Sequence, residues 1–136
     1  MPAVIAYMFD TNTISDIIRA DERVLLHVEA LDPDQCCVSA VTAGEVAYGL
    51  AKRPSATRLQ RLTRTVMDRL TILPWNNDVA EHYGKLRAEQ ERRGQIHGSL
   101  DLMIAAHALT EHLMLVTSDH AFSQVRGLTV RNFRNS

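Results

Sequence analysis

Two kinds of apolar pattern alternate along the chain. Short, nearly continuous apolar runs predict buried strands at residues 3–9, 36–39, 71–75, 113–117 and 128–133. Apolar residues spaced by three and four predict helices at 11–19, 22–31, 42–51, 55–70, 78–93 and 100–109, with a helical turn at 119–124. Strands that alternate with helices indicate one α/β domain over residues 1–136, with a mainly parallel central sheet of about five strands.

Several residues are predicted to begin or to line these helices. Thr42 and Ser55 are predicted N-caps, because their hydroxyls can accept hydrogen bonds from free backbone N–H groups. One apolar stripe is formed by Leu59, Leu62, Val66 and Leu70. Residues 100–109 have almost no polar face, so this helix is predicted to be buried on most sides, with His107 as a core histidine.

Composition narrows the class of protein. Apolar residues make up 46% of the chain and charged residues 23%, which is typical of a globular protein. No apolar run approaches the roughly 20 residues needed to cross a bilayer, and the N-terminal segment lacks the basic start of a signal peptide. We therefore predict a cytoplasmic protein. The adjacent Cys36 and Cys37 should point to opposite faces of a strand, which predicts small apolar fillers rather than a disulfide framework or a zinc knuckle.

The net charge of −1 conceals an uneven distribution of charge. Acidic residues dominate positions 1–50, whereas basic residues dominate 52–93, and 13 of the 15 basic residues are arginine. Arginine pairs bidentately with phosphate, so a basic zone beside an acidic one fits a protein that holds a polyanion near bound cations. The predicted RNA-backbone contacts are Arg58, Arg61 and Arg64; an ordinary solvated helix face is the alternative.

Four carboxylates follow predicted strand ends or helix starts: Asp10, Glu45, Asp101 and Asp119. In open α/β sheets, ligands bind at the carboxyl ends of the strands, so the sheet could bring these side chains to one edge. Carboxylates are preferred ligands of Mg²⁺ and Mn²⁺, and a bound divalent ion can activate water toward a phosphodiester. Each acid also has a purely structural interpretation, as an N-cap or an exposed helix residue. For Asp101, Ser99 alone could supply the cap, which favours a functional role for the acid.

Four segments resemble the PIN-domain family in order and spacing: residues 9–13 (Phe-Asp-Thr-Asn-Thr), 39–49, 100–109 and 116–122. Their combination is similar to the VapC-type toxins of prokaryotic toxin–antitoxin pairs. The resemblance covers nearly the whole chain. It implies a three-layer α/β/α fold with a five-stranded parallel sheet, and Mg²⁺- or Mn²⁺-dependent endonucleolytic cleavage of RNA, with tRNA or rRNA as the substrate class.

The resemblance also implies roles for individual residues. Asp10 and Asp101 correspond to the leading metal ligands, and Glu45 and Asp119 complete the acidic site, directly or through water. Polar groups that support these ligands are expected at Thr11, Asn12, Thr117 and Ser118, where Ser118 stands in a place that relatives often fill with Asn. The expected partners are a cognate antitoxin, whose C-terminal segment enters the acidic groove, and a second copy of the chain in a homodimer. No membrane partner is expected.

Two other functions remain open at this stage. A haloacid-dehalogenase-like phosphatase also begins with an Asp after a strand, but that family has a second Asp where Asn12 stands here. A non-catalytic RNA- or protein-binding module with the same fold is the other alternative. The small residues Ala43, Gly44, Ala47 and Gly49 permit close packing, either at a dimer interface or on the sheet.

Overall fold

The computed structural model describes residues 4–135, so Ala3, the predicted start of the first strand, lies outside the described residues. Its strands are β1 (Tyr7–Phe9), β2 (Cys36–Ser39), β3 (Thr71–Leu73), β4 (Met114–Val116) and β5 (Val130–Arg131). Its helices are α1 (Thr11–Ile18), α2 (Glu22–Glu29), α3 (Ala40–Ala51), α4 (Thr57–Asp68), α5 (Asn77–Arg92) and α6 (Ser99–Thr110). Short 3₁₀ turns cover Pro33–Gln35 and His120–Gln124.

The five strands form one parallel sheet in the order β3-β2-β1-β4-β5, which confirms the predicted α/β architecture. β1 is central, and Phe9 at its end is in register with Val116 at the end of β4. The carboxyl ends of β1 and β4 therefore lie side by side. Whatever side chain follows either strand is brought to the same edge of the sheet.

Successive side chains of β1 enter different cores. Met8 packs with α5 and α6 on one face of the sheet, and Phe9 packs with Ile14 of α1 and Val24 of α2 on the other. The two cysteines divide in the same way, since Cys36 joins the second core and Cys37 the first, and both are buried free thiols. Helices on both faces give the three-layer arrangement.

Helix α6 is as buried as its sequence predicts. Residues 104–108 are each no more than 1% exposed, and His107 is a core histidine whose Nδ1 lies 2.7 Å from Ser39 Oγ. Burial lowers the pKa of His107. Among residues 4–135, every helix is too short or too polar to cross a bilayer.

Several predicted element boundaries are wrong. Helix α3 begins directly after β2, so Ser39 and not Thr42 is its N-cap, and Ser39 Oγ accepts a hydrogen bond from Val41 N at 3.1 Å. Helix α4 begins at Thr57 after Ala56, without the predicted cap from Ser55. Leu62, assigned to the inner stripe of α4, is 40% exposed, because Thr63 faces inward in its place.

The strands are shorter than the apolar runs that predicted them. Trp75 and Phe133 lie outside any strand, yet both contribute aromatic contacts: Trp75 to His107, and Phe133 to Phe9 and His27. An apolar run indicates that its residues are buried, and residues can remain buried beyond the point where the backbone leaves the sheet.

Candidate active site

Asp10 stands at the junction of β1 and α1. It is 4% exposed and is the N-cap of α1, so its Oδ1 accepts a hydrogen bond from Thr13 N at 2.8 Å. Its Oδ2 accepts a hydrogen bond from the Thr117 hydroxyl at 2.5 Å. The parallel register of β1 and β4 places Asp10 beside Thr117, because each residue directly follows its strand. The Asp10 carboxylate therefore is both the N-cap of α1 and a member of the predicted site.

Thr117 links two of the four acids. Its hydroxyl oxygen also accepts a hydrogen bond from Asp119 N at 3.0 Å, and this fixes the backbone that carries Asp119. The Asp119 side chain caps the following 3₁₀ turn, with Oδ1 accepting from Ala121 N at 2.9 Å. Oδ2 of Asp119 has no protein hydrogen bond among residues 4–135 and remains available to a ligand.

Glu45 reaches the site from α3. Its Oε1 accepts a hydrogen bond from the Thr11 hydroxyl at 2.7 Å, and Thr11 is the first residue of α1, next to Asp10. The sheet explains the approach, since β2 lies next to β1 and α3 follows β2 without a loop. Thr11 and Thr117, two of the polar residues to which the family resemblance assigns a supporting role, thus each hydrogen-bond to one acid.

Asp101 lies in the first turn of α6. The cap of this helix is Gly98, which offers no side chain, so the predicted cap from Ser99 is wrong: Ser99 is already the first helical residue. The Asp101 carboxylate lies over the Gly98 backbone, with Oδ2 3.7 Å from the point that a Cβ on Gly98 would occupy. Near a helix N-terminus, a carboxylate gains from the helix dipole.

Electrostatic interactions among the four carboxylates affect the pKa values of Asp101 and Asp10. Burial raises the pKa of Asp101, and repulsion from Asp119, Asp10 and Glu45 raises it further, while the nearby His97 acts in the opposite direction. Burial also raises the pKa of Asp10, although the hydrogen bonds from Thr117 and Thr13 partly offset the effect. Among residues 4–135 none of the four acids takes part in a salt bridge, so negative charge is concentrated at this edge of the sheet.

The donor set fits a hard divalent cation in chemistry, because all four side chains offer carboxylate oxygens. Among residues 4–135, no group of three or more His, Cys, Asp or Glu side chains is placed to enclose a metal ion. An ion held by one or two carboxylates, with water and substrate phosphate as its other ligands, fits this open arrangement, and Mg²⁺ is commonly bound in that way.

Two of the predicted supporting residues are not brought into contact with the acids. Asn12 is exposed and Ser118 is half-buried, and neither side chain hydrogen-bonds to a site carboxylate among the described residues. The structure adds Thr13, which sequence reasoning missed: its N–H binds Asp10, and its hydroxyl donates to Val116 O at 2.9 Å. The spacing of three residues after a capping Asp is the signal that could have revealed it.

The three predicted RNA-binding residues lie together on α4. We call Arg58, Arg61 and Arg64 the α4 arginine row. All three are exposed, and none takes part in a salt bridge among residues 4–135. The row is a free basic surface on a helix that packs against α1, the helix capped by Asp10.

A groove of about 780 Å³ runs from the acidic site between α1, α3 and α4. Thr11 and Glu45 line the groove, as do Lys52 and Arg53. Its walls are mostly apolar, with Ile14, Val46, Leu59 and Met103 among them. Gly44 and Gly49 also line the groove, and a Cβ at either glycine would meet nothing within 4 Å, so packing within this chain does not require glycine there.

The model of one protein family, the PIN domain, matches residues 7–128, a span that includes all four acids and every strand except the last. The chain belongs to the PIN-domain family. Membership in this family argues against the alternative of a haloacid-dehalogenase-like phosphatase. Similar proteins include Ribonuclease VapC2 of Haemophilus influenzae, 32% identical over 96% of this chain and 99% of the relative. The tRNA(fMet)-specific endonuclease VapC of Salmonella typhimurium is 29% identical over the same shares.

Solved structures of PIN-domain proteins share the fold over nearly the whole chain. The chain in the crystal structure of DNA-bound VapBC from Salmonella typhimurium superposes with a TM-score of 0.89 at 29% identity, covering 96% of this chain and 99% of that one. The corresponding chain in FitAcB from Neisseria gonorrhoeae gives a TM-score of 0.86 at 26% identity, with the same coverage.

Proposed function

We propose that this PIN-domain protein is a Mg²⁺- or Mn²⁺-dependent endoribonuclease and the toxin of a toxin–antitoxin pair. The observation that carries the proposal is the set of four carboxylates at the carboxyl edge of the sheet, three of which repel the charge of Asp101. Support comes from relatives named VapC ribonucleases, which align with the chain from end to end.

In this proposal, Asp10 and Asp101 are the principal metal ligands, and Glu45 and Asp119 complete the site directly or through water. A divalent ion bound there would lower the pKa of a bound water and stabilise the charge that develops on the phosphodiester oxygens. The protein's part is to hold the acids in place. Thr117 orients Asp10, and Thr11 orients Glu45, in each case through one carboxylate oxygen that leaves other lone pairs free.

We propose transfer RNA or ribosomal RNA as the substrate, and initiator tRNA is the first to test because two of the similar nucleases are named for it. The α4 arginine row would hold the RNA backbone in this proposal. Guanidinium groups that have no acidic partner among residues 4–135 can pair with phosphates without first breaking an ion pair within that part of the chain. Action on these RNAs would place the protein in the cytoplasm.

The proposed antitoxin would bind the groove that leads into the acidic site. Support comes from the similar structures named as VapBC complexes and from the apolar walls of the groove, which suit an amphipathic segment. A basic side chain at the end of that segment would meet the uncompensated charge of the site.

A homodimer is also proposed. The exposed Leu26, Tyr48 and Ile72 leave apolar surface for contacts between two copies of the chain, and light scattering would measure the mass of the dimer.

Cleavage of labelled tRNA tests the nuclease proposal. Wild type with Mn²⁺ should cut at defined positions, and an excess of chelator should abolish the cutting. Asp10→Asn and Asp101→Asn should each reduce the rate by at least about 100-fold, because each removes a charge that the transition state requires. Asp34→Asn, at an exposed acid in the 3₁₀ turn before β2, is the matched control and should cut normally.

Full activity in chelator, or in either site variant, would contradict the proposal. RNA binding without cleavage under every metal condition would favour a non-catalytic RNA-binding module instead.

A further inference from the structure

A polar network centred on the buried Gln90 contacts the loop that precedes Asp101. Gln90 of α5 is 0% exposed, and its side-chain Nε2 lies 3.0 Å from His97 Nε2 and 3.3 Å from the carbonyl oxygen of Gln124. Its Oε1 accepts a hydrogen bond from Arg93 at 3.0 Å. A buried amide is costly unless it is hydrogen-bonded, and all of these contacts are needed to satisfy this one.

The partners of Gln90 determine which nitrogen of His97 carries the proton. A carbonyl oxygen only accepts and a guanidinium only donates, so the Gln90 amide must present N–H groups to Gln124 and its oxygen to Arg93. His97 Nε2 therefore faces an N–H donor and must accept. In the neutral imidazole, the proton then resides on Nδ1.

His97 stands at the rim of the acidic site. It precedes Gly98, over whose backbone the Asp101 carboxylate lies, and its charge influences the pKa of Asp101. Its side chain is half-buried and also lines a pocket of about 380 Å³ with Arg87 and Ser99. Nδ1 makes no hydrogen bond within residues 4–135, so this network leaves one N–H donor free.

We propose that His97 is an RNA contact, positioned by Gln90, whose Nδ1–H donates to a phosphate oxygen next to the cleaved bond. The inference rests on the proposed nuclease function and assigns one more substrate-binding residue to the same site. A donor fits this place because the four carboxylates provide only acceptors, whereas the RNA backbone is itself an acceptor. Because Gln90 already fixes the orientation of the His97 ring, less conformational entropy is lost when the RNA binds.

The tautomer is measured without RNA. In ¹⁵N-histidine spectra of the neutral ring, His97 should show a protonated Nδ1 and an unprotonated Nε2. Gln90→Met, which keeps the bulk of the side chain but removes the donor, should allow the proton to move to Nε2. A protonated Nε2 in wild type would overturn the proposal.

RNA affinity tests the contact itself. We would measure fluorescence anisotropy of a labelled single-stranded RNA 20-mer of mixed sequence, with every variant in the Asp10→Asn background to prevent cleavage. His97→Ala should weaken binding roughly tenfold, the loss expected for one hydrogen bond to a charged group. His97→Asn carries an amide N–H near the position of Nδ1 and should restore most of the affinity, whereas His97→Gln, which places its amide near Nε2, should not.

A matched control is His112→Asn, because His112 is exposed, lies beyond the far end of α6 from Asp101, and has a positive φ of 57° that Asn tolerates. It should bind RNA as the Asp10→Asn parent does. Gln90→Met should weaken binding while its circular dichroism spectrum remains that of a folded protein; because the buried Gln90 loses its three side-chain contacts, its unfolding midpoint should fall, and binding is therefore measured well below that midpoint. Equal affinity of the His97→Ala variant and its parent would overturn the proposal.

The outcomes separate this proposal from the nuclease proposal. RNA binding that depends on His97, in a wild-type protein that never cleaves, would support the contact and refute the nuclease. Cleavage by wild type with unchanged affinity in His97→Ala would refute the contact and support the nuclease. Absence of any RNA binding would refute both.

Discussion

Thr117→Val should destabilise the protein far more than the same change at an exposed threonine. The Thr117 hydroxyl is buried, donates to Asp10 Oδ2 and accepts from Asp119 N. Valine has nearly the same shape, so the change removes two hydrogen bonds and opens no cavity. A hydrogen bond to a charged group contributes about 1.5–3 kcal/mol and a neutral one about 0.5–1.5 kcal/mol. The expected loss is therefore about 3 kcal/mol, part of it from the acceptor left unpaired on Asp10.

Urea unfolding in the presence of chelator measures this loss without involving metal or RNA. For a slope of about 1.5 kcal/mol per molar urea, the midpoint should fall by about 2 M. Thr65→Val makes the same chemical change on the exposed side of α4, where the hydroxyl donates to Arg61 O and to no other group in the described part of the chain, and should change stability by less than about 0.5 kcal/mol.

A double-mutant cycle assigns the loss to the contact with Asp10. In the Asp10→Asn background, the carboxylate that accepts from Thr117 is gone, so Thr117→Val should cost clearly less than it does in wild type. Equal midpoints for wild type and Thr117→Val, or equal losses in the two backgrounds, would refute the role given to this hydroxyl.

Four further predictions concern other parts of the chain. Arg134→Met should lower the urea midpoint more than Arg19→Met, because Arg134 donates two hydrogen bonds to the buried Asp16 and Arg19 only one; the opposite order would contradict this. Burial raises the pKa of Cys36 to about 11 and that of Cys37 to about 12, so both thiols should resist a thiol reagent until the protein unfolds. Because these folded-state pKa values exceed the unfolded value of 9.0, the unfolding free energy should fall as pH rises from about 9 toward 11, and alanine at both positions should flatten that fall. Serine substitution of the α4 arginine row should weaken RNA binding and reduce the salt slope by about 2, and an unchanged slope would make the row a solvated face.

Most of the architecture could be predicted from the sequence, because buried strands and helices produce a strong pattern of apolar residues. Runs such as 113–117 are typical of buried strands between helices, and the resulting parallel order brings Asp10 and Asp119 to one edge. Boundaries were harder to predict. Ser39 and Thr42 are equally good caps by type, and only the absence of a loop after β2 makes Ser39 the cap.

The polar networks were missed for a different reason. Gln90 lies on a helix with many charged residues, where one more polar residue carries no sign of burial. Asp16 was equally inconspicuous, since its partner Arg134 is 118 residues away in sequence. Such pairs depend on tertiary contact, which periodicity does not report.

Binding of Mn²⁺ tests the central claim most directly, because it needs neither the RNA target nor the antitoxin. Electron paramagnetic resonance of free Mn²⁺ would be followed while the wild type, Asp101→Asn and Asp68→Asn are titrated. The wild type and the control Asp68→Asn, at an exposed acid in α4, should remove Mn²⁺ from solution with equal affinity, and Asp101→Asn should bind it at least about tenfold more weakly. Equal affinity of Asp101→Asn and wild type would show that the acids at the edge of the sheet are not a metal centre.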